Sequence, residues 1–87
     1  MTDQVRRAEL APVVEAAQRV AGVIAARGRG DAAGARDLLQ TFADEHELAG
    51  GALLVAELSL GLLRNETGES LDECVRELCV VMESSLR

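Results

Sequence analysis

Cys74, Cys79 and His46 are the side chains in this chain best suited to metal, redox or general-base chemistry. Their spacing argues against all three uses. The cysteines lie five residues apart in ECVRELCVVM, which on a helix sets them about 140° apart, at about 100° per residue. They would point to opposite edges of an apolar face and could not bridge each other, and they lack the C-x-x-C spacing of a zinc or redox pair. The expectation is two small buried hydrophobes. His46 is the only histidine, four residues after Phe42, and is expected half-buried near helix C-terminal carbonyls. His46, both cysteines and a carboxylate would suit zinc by type, but helix geometry opposes the grouping. No serine or cysteine stands near His46 in sequence to form a nucleophile and base pair. No enzyme activity, metal or cofactor is expected.

Two motif-like spellings fall in one segment. GRGDAA, from Gly28, fits the letters of a dinucleotide-binding turn, G-x-G-x-x-G/A. That turn belongs after a strand, with an acidic ribose partner about 20 residues on. Here a helical stripe precedes it and Gly50 and Gly51 occupy the region where the acid should be. Arg29-Gly30-Asp31 spells an integrin-binding tripeptide, yet the opening MTDQVRRAEL lacks the apolar stretch of a secretory signal. An ordinary turn and helix cap account for both, and free cysteines fit a reducing cytoplasm.

The elements that would position these residues read as four helices and no strands, a single all-α domain of 87 residues. A chain this short buries only about 60 to 65% of its unfolded surface, so oligomerisation is a natural aid to its stability. Val5, Pro12, Ala16, Val20 and Val23, flanked by Val13, Ala17 and Ile24, form a helical stripe. Pro12 implies a kink or a fresh start near Ala11, and the unbroken stripe favours a bent helix over 3 to 26. Arg27 to Gly34 reads as a linker with Asp31 capping the next helix. That helix should run to about Ala43 and turn Ala32, Ala35, Leu38, Leu39, Phe42 and His46 inward. Asp44 and Glu47 have capping-box spacing, with Gly50-Gly51 as a rival break, so the second and third helices could also be one bent helix. Gly68 stops the third helix. Ser70 and Glu73 form a capping box for the last, Leu71 to about Leu86. Its expected inner face is Leu71, Cys74, Val75, Leu78, Cys79, Met82 and Leu86, leaving Val80 stranded on the polar side.

LAGGALLVAELSLGLLR, residues 48 to 64, is apolar nearly all round. Leu48, Leu54, Val55, Leu58 and Leu62 share one face. Ala49, Ala52, Ala56 and Ser59 form a face of small side chains, and Leu53 and Leu60 a third. Only Glu57 and Arg64 are polar. A membrane span needs about 20 apolar residues; this run is shorter, holds Glu57 near its middle and is flanked by Glu47 and Arg64, so no membrane is expected. The helix should sit at the centre of a compact antiparallel bundle. Its surplus apolar surface should meet the same helix of a second chain through Ala49, Ala52, Leu53, Ala56, Ser59, Leu60 and Leu63.

The charge is split. Residues 1–36 carry six arginines and four acids, whereas residues 37–87 carry three arginines and eleven acids, so +2 and −8 sum to the net −6. All the basic residues are arginine, and alanine, glycine, valine and leucine abound, as in a GC-rich bacterial or phage gene. That usage explains the arginines without phosphate binding. LLRNETGESLDECVREL, residues 62 to 78, has the outline of a helix-turn-helix. Its second helix would nonetheless offer Asp72, Glu73 and Glu77 to phosphates with Arg76 alone to compensate, so nucleic acid is a disfavoured partner. Arg6, Arg7, Arg19, Arg27, Arg29 and Arg36 could reach nucleic acid from the first half, but no aromatics interleave them. The expected function is that of a non-catalytic cytoplasmic regulatory protein that forms a homodimer and binds another protein, one with a basic surface. Asp72, Glu73, Arg76, Glu77, Val80 and Glu83 are the candidate partner face. The alternatives are a transcriptional regulator or antitoxin-like DNA binder using segment 62–78, and a small-molecule sensor with a pocket between helices.

Overall fold

The computed structural model describes residues 2–86, and in it the chain forms four helices with no strand among the described residues: α1 (Thr2–Gly28), α2 (Ala32–Leu39), α3 (Glu45–Thr67) and α4 (Leu71–Ser84). Two compact units follow one another, dividing at Val55 and Ala56, and α3 is continuous through the division.

In the first unit α1 runs on through Pro12 rather than starting afresh beside it. Its apolar stripe is buried from Ala16 onward, through Ala17, Val20, Val23 and Ala26. Before that point it is bare: Val5 is 58% exposed and every residue from Thr2 to Pro12 lies at the surface. Ile24, expected beside the stripe, is exposed as well. α1 closes on a Schellman-type cap. Gly30 takes a φ of +79°, which only glycine adopts without strain; its N–H donates to the Arg27 carbonyl, and the Asp31 N–H donates to the Ala26 carbonyl. Asp31 then caps α2, its carboxylate accepting from the Gly34 N–H at 2.8 Å.

α2 ends at Leu39, four residues before the expected end. Thr41 stops it, donating its hydroxyl to the Leu38 carbonyl at 2.6 Å. The inner face is therefore narrower than the sequence suggests. Ala35 is buried and Leu38 half-buried against Val23 and Ala26, while Ala32 and Leu39 are exposed, Phe42 lies in the connection after α2 and His46 on α3.

α3 begins after Asp44, whose carboxylate accepts from the Glu47 N–H at 2.8 Å. The second and third helices are thus separate. Gly50 and Gly51 do not break α3; they let it lie close to α1. A Cβ at Gly51 would stand 2.8 Å from the Ala16 carbonyl oxygen, and one at Gly50 3.7 Å from a Val13 methyl.

In the second unit α3 ends beside Gly68, which has a φ of +74°, and α4 opens with the complete expected capping box. The Ser70 hydroxyl accepts from the Glu73 N–H, and the Glu73 carboxylate accepts from the Ser70 N–H. Cys74 alone is buried on α4.

Candidate protein-binding surface

α3 is not wrapped by its own chain. Of its 23 residues only Gly51 is buried, because the crossing with α1 is made by glycine and alanine rather than by leucine. The central, all-round burial expected from the apolar pattern is therefore absent within one chain. Leu58 and Leu62, assigned by periodicity to the core, are 61% and 68% exposed. On the small face Ala49, Ala52, Ala56 and Ser59 are exposed, as are Leu53 at its border and Leu63 in line with it one turn beyond Ser59; Leu60 is half-buried. Within the first unit, Ala49 and Ala52 lie about 100 to 160° around the helix from Gly51, away from the crossing with α1. The helix is also longer than its apolar core suggests, and by length and composition alone it could cross a membrane.

α4 departs further from expectation. Leu71, Val75, Leu78 and Met82, all expected inward, are 38 to 57% exposed. Cys79 and Leu86 are exposed too, so the thiols differ: Cys74 is buried, Cys79 open, and both are free. Val80 is not the lone stranded apolar residue, since its neighbour Val81 is equally bare. The partner face read from the sequence, Asp72, Glu73, Arg76, Glu77, Val80 and Glu83, is exposed throughout. A helical hairpin of some thirty residues has little with which to cover two apolar helix faces.

Charge accentuates this surface. Glu69 is half-buried at the start of α4; desolvation first, then the Glu77 and Glu73 carboxylates, raise its pKa above the usual value. Glu73 moves the other way, held low by hydrogen bonds from the Ser70 backbone and hydroxyl.

Arg19 is no solvated arginine available to phosphate. Its guanidinium lies 4.5 Å from the Phe42 ring centroid, donates to the Thr41 carbonyl and hydroxyl at 3.0 and 3.2 Å, and pairs with Glu47 at 2.8 Å. The same Glu47 carboxylate accepts from the Ala43 N–H, which leaves it out of a reciprocal box with Asp44. His46 falls on the first turn of α3 and is exposed, not set against C-terminal carbonyls. It borders an open groove of about 300 Å³ with Pro12, Val13, Ala16, Glu47 and Gly50. No group of three or more histidine, cysteine or carboxylate side chains close enough for a metal occurs among the described residues.

Fold and surface together define a small all-α chain with unpartnered apolar helix faces. Compared with protein-family models, curated proteins and solved structures, it has no match. The surface residues that sequence reasoning misses are Leu58, Leu62, Leu71, Val75, Leu78 and Met82. Their signal is a surplus: the last 32 residues hold more large apolar side chains than two short helices can hide from water.

Proposed function

We propose that this chain is a non-catalytic interaction protein of the cytoplasm that forms a homodimer along α3 and acts by binding another protein. The observation that carries this reading is the exposure of one continuous small-residue face on an apolar helix. Ala49, Ala52, Ala56 and Ser59 stand at the surface with Leu53 and Leu63 beside them. Contiguous exposed apolar surface of this kind is the common mark of a protein interface. Small side chains would let two copies of α3 approach closely, as Gly51 and Ala16 already do across the α1 crossing, and leucine at the borders would supply the area that excludes water.

A DNA-reading role for residues 62–78 is the weaker alternative. The helix-turn-helix connectivity suits it, but α4 carries four carboxylates against one arginine, which repel phosphate. A sensor of small molecules would have open grooves to offer, such as the one beside His46 and another along α3 at Leu58 and Leu62.

Ala52→Arg combined with Ala56→Arg tests the dimer face. Both alanines are exposed in the single chain, so the fold should survive, as judged by helical circular dichroism. Light scattering after size exclusion is expected to give a dimer for the natural chain and a monomer for the double variant. A double variant with the mass of a dimer would overturn the assignment of this face.

A further inference from the structure

We draw no further inference here: the strongest candidate, the apolar stripe that Leu71, Val75, Leu78 and Met82 leave exposed along α4, is an unpartnered helix face, and nothing in the structure shows what covers it.

Discussion

Arg19 is the residue on which the first unit's loop depends. One guanidinium holds the Thr41 carbonyl, the Phe42 ring and the Glu47 carboxylate, tying α1 to the 40–44 turn and to the start of α3. Arg19→Ala should lower stability by about 1 to 2 kcal/mol, a sum of cation–π and ion-pair contributions reduced by partial exposure; urea unfolding would measure it. Gly51 and Gly50 give a sharper contrast. Gly51→Ala forces a methyl against the Ala16 backbone and should cost about 1 to 3 kcal/mol, whereas Gly50→Ala meets only ordinary contact and should be neutral or stabilising by up to about 1 kcal/mol. Little of this is legible in the sequence. An arginine among arginines carries no sign of its partner 28 residues on, and a glycine pair inside an apolar run reads equally well as a break or as a close approach.

At the scale of elements the sequence is more informative, because helix ends are written in local chemistry. Asp31, Asp44 and Ser70 cap where their residue types suggest, and Gly30 and Gly68 take the left-handed conformations that end α1 and α3. The end of α2 escapes this reading, since Thr41 closes it through a side-chain bond that periodicity does not encode. Ser70→Ala should cost about 1 kcal/mol through loss of the α4 cap. The two shifted carboxylates predict opposite pH behaviour. Glu73 has its pKa lowered from the ordinary 4.5, so its contribution to stability is present at neutral pH and is lost as pH falls below 4.5 through the folded value. Glu69 has its pKa raised, so the folded state binds its proton more readily, and repulsion present at neutral pH is relieved as pH falls toward 4.5. Glu73→Gln should therefore be less stable than the natural chain at about pH 7 and Glu69→Gln more stable, both differences fading in acid; thermal unfolding at about pH 7 and about pH 3.5 would read them.

For the molecule as a whole, the sequence reports how much apolar surface there is but not where it is left uncovered. Periodicity assigns Leu58, Leu62, Val75, Leu78 and Met82 to an interior, and four helices do form, yet these side chains remain exposed. An apolar stripe says that a face needs a partner, not whether the partner lies in the same chain. The division of the chain at Val55 and Ala56 is likewise silent in a sequence whose helix runs unbroken through it. Exposed leucine on α3 and α4 leaves helix faces that the single chain does not cover, as association of copies along α3 would require. Sedimentation equilibrium of the full chain, over a wide concentration range and with reductant to keep Cys79 from cross-linking, decides whether two copies join in solution. A mass twice the 9.2 kDa of the chain, dissociating reversibly on dilution, is the predicted result. A mass of 9.2 kDa at every concentration would contradict the dimer.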